Sequence, residues 1–125
     1  MNYLLDTHIL LWWLSEPEKI GKKAHTIISD KSNRVFASSI SFWEMAIKSG
    51  YGKLNIPRNM METLLTEGFE LLSLHPKETF SVIDLPPIHR DPFDRMLIAQ
   101  AKFSDLVLIT KDKNILSYPL VTLKA

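Results

Sequence analysis

The stretch Asp91 to Asp112, DPFDRMLIAQAKFSDLVLITKD, reads as a helix, a tight turn and a buried strand, and it decides the fold. Asp91 is a good N-cap, and Pro92 suits the first helical position, where its missing N–H costs nothing. At about 100° per residue, Leu97, Ile98 and Ala101 share one stripe with Asp94. The helix is expected to end near Ser104. Leu106-Val107-Leu108-Ile109 then forms an uninterrupted apolar run, the mark of a strand covered on both faces. The same pattern sets a puzzle, because Asp94 stands where a helix normally puts a hydrocarbon. An ionised carboxylate on a buried stripe costs several kcal/mol unless it is paired, hydrogen-bonded or bound to a cation.

Working outward, strand and helix alternate. Tyr3 to Asp6 reads as a short buried strand entering a helix from Thr7 to about Leu14, stopped near Glu16-Pro17. A helix is expected over Lys22 to Ser29 and a strand over Arg34 to Ala37. Serines 38, 39 and 41 are natural caps for a helix from Phe42 to Tyr51, ended by Gly52. After a loop at Asn55 to Arg58 come a helix from Asn59 to Thr66, a short strand at Glu70 to Leu72 and a helix from Pro76 to Ile83. Pro86-Pro87 marks a loop. Beyond Asp112 follow a helical turn and a last strand around Leu120 to Leu123. The pattern predicts an α/β fold with a mostly parallel sheet, in a single domain over 1–125.

The totals exclude several classes. With 125 residues, 46% of them hydrophobic and 23% charged, the composition is that of an ordinary globular domain. Cysteine is absent, which rules out disulfides, thiolate zinc sites and cysteine nucleophiles and fits a reducing compartment; the cytoplasm is the expected location. The apolar start lacks a basic leader and is broken by Asp6 and His8, and the run Ile9 to Leu14 is too short to span a bilayer, so no membrane association is expected. A net charge of +1 leaves nucleic-acid binding to local clusters.

Acidic residues carry the chemistry. In open parallel sheets the functional crevice lies beyond the carboxyl ends of the strands. Asp6 closes the first strand and Asp112 follows the fourth by a few residues. Glu44 repeats the puzzle of Asp94, since Ile40, Ile47 and Tyr51 lie within about 60° of it on the helical wheel. If the fold gathers Asp6, Glu44, Asp94 and Asp112, two carboxylates about 4 Å apart repel by roughly 4 kcal/mol at an effective dielectric of 20. A hard divalent cation, Mg²⁺ or Mn²⁺, relieves that repulsion and suits an all-oxygen ligand set. Each acid also has an ordinary reading. Glu44 sits four residues before Lys48, Asp6 and Asp91 are placed as helix caps, and Asp112 lies between two lysines.

Taken in order, Tyr3-Leu4-Leu5-Asp6-Thr7-His8, Ser41-Phe42-Trp43-Glu44, Asp91 to Ala101 and Leu108-Ile109-Thr110-Lys111-Asp112 resemble a PIN domain. More narrowly they resemble the VapC-type ribonuclease toxins of type II toxin-antitoxin pairs. The resemblance covers nearly the whole chain. It implies a PIN-like three-layer sandwich, with helices on both sides of the sheet. It also implies an Mg²⁺- or Mn²⁺-dependent endoribonuclease that cuts RNA to 5′-phosphate and 3′-hydroxyl ends and is inhibited by a cognate antitoxin. A homodimer is expected. The family's acidic quartet falls on Asp6, Glu44, Asp94 and Asp112 as catalytic metal ligands, with Asp91 as an accessory acid. Thr7 and Thr110 are the hydroxyl neighbours that would orient the carboxylates.

Three other readings stand beside this one. A solitary RNA-processing nuclease would use the same site. A response-regulator receiver shares the length and the carboxylates but needs a phosphoacceptor aspartate after its third strand, and YGKLNIPRNM, residues 51–60, contains no acid. A silent binding module would not need the complete quartet. The histidines at 8, 25, 75 and 89 suggest no catalytic pair, and His89 reads as a loop residue without a role. Arg90, Arg95, Lys48, Lys111 and Lys113 are candidate contacts to substrate phosphates. Trp12, Trp13 and Trp43 are expected to be mainly core, with one of the adjacent pair able to reach a partner surface.

Overall fold

The computed structural model describes residues 1–52, 56, 58–120 and 122–125. Five strands, β1 (Asn2–Leu5), β2 (Arg34–Ser38), β3 (Glu70–Leu72), β4 (Val107–Thr110) and β5 (Thr122–Lys124), form one sheet in the order β3-β2-β1-β4-β5, with every neighbouring pair parallel. Leu4 of β1 lies beside Phe36 on one side and Leu108 on the other. The chain runs outward from β1 through β2 to β3, then returns to place β4 against the other side of β1. That reversal opens a crevice at the carboxyl ends of β1 and β4.

Helices α1 (Thr7–Ser15), α2 (Lys22–Ser29), α3 (Ser39–Gly50), α4 (Met60–Thr66), α5 (Pro76–Ser81), α6 (Pro92–Phe103) and α7 (Lys113–Leu116) flank the sheet. Alternate strand residues face opposite ways, so the core has two halves. Tyr3, Leu5, Val35, Ala37 and Ile109 pack with Ile9, Leu10, Ile28 and Leu64. Leu4, Phe36 and Leu108 pack with Leu97, Ile98, Ala101, Ile115 and Tyr118. Full burial of a leucine such as Leu97 contributes about 1.5–3 kcal/mol. Helix α3 supplies Met45 to the first half and Ile40 to the second.

The opening stretch folds as its pattern predicts. Asp91 Oδ1 accepts the N–H groups of Phe93 (2.9 Å) and Asp94 (3.1 Å), capping α6. At the other end Asp105 turns the chain at φ 56°, and the Leu106 N–H returns to the Ala101 carbonyl at 2.8 Å, a glycine-free version of the common left-handed helix stop. Other boundaries differ from expectation. Helix α3 begins at Ser39 because Ser38, still the last residue of β2, accepts the Ile40 N–H at its side chain (3.1 Å). Its end is as expected, with Gly52 at φ 70°. The helix expected over Pro76 to Ile83 passes at Val82 into a 3₁₀ turn, and a second 3₁₀ turn covers Pro17–Lys19. Asn55 and Pro57 of the expected loop, and Val121 of the expected last strand, lie outside the described residues. Among the described residues no helix is long and apolar enough to cross a membrane.

Candidate active site

Of the acids that the sequence pattern singles out, Asp94 and Asp112 come together at His89 in the crevice, while Asp6 and Glu44 act on Asp94 by their charge and do not join that cluster. Asp6 leaves β1 and caps α1, with Oδ1 accepting the Ile9 N–H at 2.9 Å. Its other oxygen, Oδ2, accepts the Thr110 hydroxyl at the end of β4. Asp112 follows the same pattern: Oδ1 caps α7 through the Asn114 N–H (2.8 Å), while Oδ2 lies 3.6 Å from His89 Nε2. Both residues cap a helix with Oδ1, as the capping reading expects, and turn Oδ2 to a second partner. Asp94 points inward from the first turn of α6, and its Oδ2 is 2.8 Å from His89 Nε2. Glu44 points inward from α3 and is only 3% exposed. Its Oε2 accepts from Lys48 Nζ at 2.5 Å, and its Oε1 is buried with no hydrogen-bond partner among the described residues.

The electrostatics report the same convergence. Burial pushes the Asp94 carboxyl up to about 6, and the nearby Asp91 carboxylate adds to the rise; the His89 bond opposes it, and Glu44 and Asp6 reinforce it. Burial also raises Asp6, against the lowering effect of the Thr110 and Ile9 bonds, with Asp112 adding a small rise. Asp94 therefore feels Glu44 and Asp6, and Asp6 feels Asp112. The Lys48 ammonium is stabilised first by its bond to Glu44 and also by Asp91 and Asp94, so it faces the same acids.

A model of the PIN domain family matches residues 3–119. The chain belongs to the PIN domain family. It is similar to ribonuclease VapC22 of Mycobacterium tuberculosis, with 26% identity over 92% of this chain and 90% of that one. Its fold is similar to chains of two solved assemblies. One is VapBC2 from Rickettsia felis bound to a promoter DNA fragment, with TM-score 0.77, 20% identity and coverage of 100% of this chain and 99% of that one. The other is DNA-bound VapBC from Salmonella typhimurium, with TM-score 0.72, 17% identity and coverage of 99% and 98%.

Several residues of this PIN domain depart from their expected places. Thr7, expected to donate to a carboxylate, instead donates to the Ser41 hydroxyl at 2.9 Å; only Thr110 of the expected pair bonds an acid. Arg95, a candidate phosphate contact, is turned inward, donating to the carbonyls of Pro86 (3.0 Å) and Val82 (3.3 Å) and to the Tyr118 hydroxyl (3.1 Å). Lys111 donates to the Lys19 carbonyl (2.7 Å) and lies over the Trp12 ring, while Arg90 and Lys113 are exposed. Trp12 and Trp13 are partly buried on the first core half, and Trp43, beside Glu44, is 58% exposed and meets Phe93 edge-on at 5.2 Å.

His89 is the residue that sequence reasoning missed. Its ring, together with Asp94 and Asp112, offers ligand atoms within 4.8 Å of one another. The available signal was its place two residues before a helix cap, in a loop that the helix start brings back over its own first turn.

Proposed function

We propose that this PIN domain is a divalent-metal-dependent endoribonuclease, the toxin of a toxin-antitoxin pair, and that Asp6, Glu44, Asp94 and Asp112 hold Mg²⁺ or Mn²⁺. The observation that carries the reading is the orphaned Oε1 of buried Glu44. A buried carboxylate oxygen without a donor costs about 1–3 kcal/mol or more, and a cation shared with neighbouring acids is the partner that removes the cost. The donor set fits: all oxygens, no thiolate, one acid from each of four segments. Such an ion supplies, when bound, activation of water and neutralisation of the charge that develops on a phosphodiester.

The chain's own residues do the rest. Thr110 fixes the rotamer of Asp6 through Oδ2, whose second lone pair would serve an ion, and the capping bonds of Asp112 use Oδ1 and leave Oδ2 toward the site. Lys48, whose ammonium faces the acids and is partly exposed, is placed to meet a substrate phosphate. The exposed face of Trp43 offers stacking area to an unpaired base, the form in which RNA is commonly read. Partners are RNA, a cognate antitoxin and a second copy of this chain; ribonuclease VapC22 and the VapBC assemblies support that reading by likeness.

The test is cleavage of purified transfer and ribosomal RNA with Mg²⁺ and with chelator, using the wild type, Asp6→Asn and Asp94→Asn. Cleavage should need the ion and both carboxylates. Activity that survives both substitutions would remove the acidic-site account, and equal cleavage of a fully 2′-deoxy strand would remove the restriction to RNA.

A further inference from the structure

We infer that His89 is a positioning residue for the acidic site: its imidazole bridges the Asp94 and Asp112 carboxylates, and Arg95 and Tyr118 hold the imidazole in place. The inference rests on the metal-binding reading above and names a part of the site outside the quartet. The ring is oriented at both nitrogens. Nδ1 accepts the Asp91 N–H at 3.5 Å, which leaves Nε2 as the protonated nitrogen; Nε2 donates to Asp94 Oδ2 at 2.8 Å and lies 3.6 Å from Asp112 Oδ2. The two acids belong to different segments, the start of α6 and the loop after β4, and the His89 ring stands within 4 Å of both.

The backbone of His89 is clamped as firmly as its ring. Its N–H donates to the hydroxyl of buried Tyr118 at 2.7 Å, and the same hydroxyl accepts from Arg95 Nη1 at 3.1 Å. Arg95 Nη1 also reaches the carbonyls of Pro86 and His89, and its Nη2 that of Val82, so the guanidinium ties the loop to α6 one residue beyond Asp94. A guanidinium so committed to carbonyls serves geometry. Hydrogen-bonded neighbours that orient metal-binding carboxylates are typically worth about 10–100-fold in metal affinity.

The experiment is calorimetric titration of the full chain with Mn²⁺ and with Ni²⁺, with circular-dichroism melts to confirm folding. Asp94→Asn should abolish Mn²⁺ binding, and His89→Ala should weaken it by about 10–100-fold. His89→Gln should recover most of the loss, because its amide N–H reaches the same oxygen. Tyr118→Phe should weaken binding severalfold, and should add nothing once His89 is alanine, since both act through one path. His89→Ala binding Mn²⁺ within about twofold of the wild type, with Asp94→Asn inactive in binding, overturns this inference alone. A loss confined to Ni²⁺, the more nitrogen-seeking ion, overturns it in favour of His89 as a direct ligand. Failure of the wild type to bind Mn²⁺, or indifference of binding to Asp94→Asn, overturns the metal-site reading and this inference with it.

Discussion

The carboxylate of Asp6 and the hydroxyl of Thr110, 104 residues apart in the chain, are bonded to each other where β1 and β4 end side by side. Thr110 Oγ1 also accepts the Asp112 N–H at 3.0 Å, so one hydroxyl sets two of the acids. Thr110→Val keeps the shape and removes both bonds. It should cost about 1–3 kcal/mol in urea unfolding and lower RNA cleavage by a larger factor than the stability loss accounts for. A variant of unchanged stability would show that the hydroxyl has no structural share in the crevice.

Glu44 and Lys48 form a pair of unequal burial, with side chains 4% and 42% exposed. Replacing Lys48 with Met leaves the buried carboxylate without a donor on either oxygen, which should lower stability in chelator by about 1–3 kcal/mol. Mn²⁺ should restore most of that loss. Equal melting temperatures of variant and wild type in chelator would contradict this account of Glu44.

Asp94 makes stability depend on pH with a definite sign. Its folded-state pKa of about 6 lies above the ordinary 3.8, mainly through burial and the Asp91 charge, so the folded protein holds a proton that the unfolded chain has released. The contribution is complete below about pH 3.8 and is lost as pH rises through about 6. Asp6, raised by burial, acts in the same direction. In chelator, melting temperature from this source should fall mainly between about pH 4 and pH 6, and Asp94→Asn should flatten the slope. Mn²⁺ affinity should rise over the same interval, because the ion competes with that proton. A wild-type slope identical to that of Asp94→Asn would refute the assignment.

Gln100, fully buried, ties three segments together. Its Oε1 accepts from Ser38 at 2.5 Å and its Nε2 donates to the Ser73 carbonyl at 3.2 Å. Gln100→Leu fills the space but strands both partners, and should cost about 2–4 kcal/mol by denaturant titration. A surface substitution such as Arg34→Ala, which breaks the exposed pair with Glu70, should leave the denaturant midpoint nearly unchanged.

Much of this was legible because burial is written locally. The run Leu106 to Ile109 and the stripe Leu97, Ile98, Ala101 were read from spacing, and all but Val107 of those residues are buried. The same arithmetic, which needs only the helical period, turns Asp94 and Glu44 inward. Charge alone suggests a surface place for Arg95; its place beside the loop carbonyls depends on how that loop folds back. The Thr7 hydroxyl bonds Ser41 of α3, a partner 34 residues away that no local spacing in the sequence indicates.

By itself, then, the sequence determined the alternation of strand and helix, the buried faces, the caps and the identity of the inward acids, since each depends on residues within one or two turns of one another. The tertiary structure alone decided which of these acids come near one another: Asp94 and Asp112 share His89, and Asp94 feels the charges of Glu44 and Asp6. The order β3-β2-β1-β4-β5 brings the end of β4 to the end of β1, and no local spacing encodes which strands become neighbours. The same holds for His89, whose contact with Asp94 and Asp112 requires Tyr118 and Arg95 to close a loop over the helix start, a matter of packing between segments that the chain pattern does not contain.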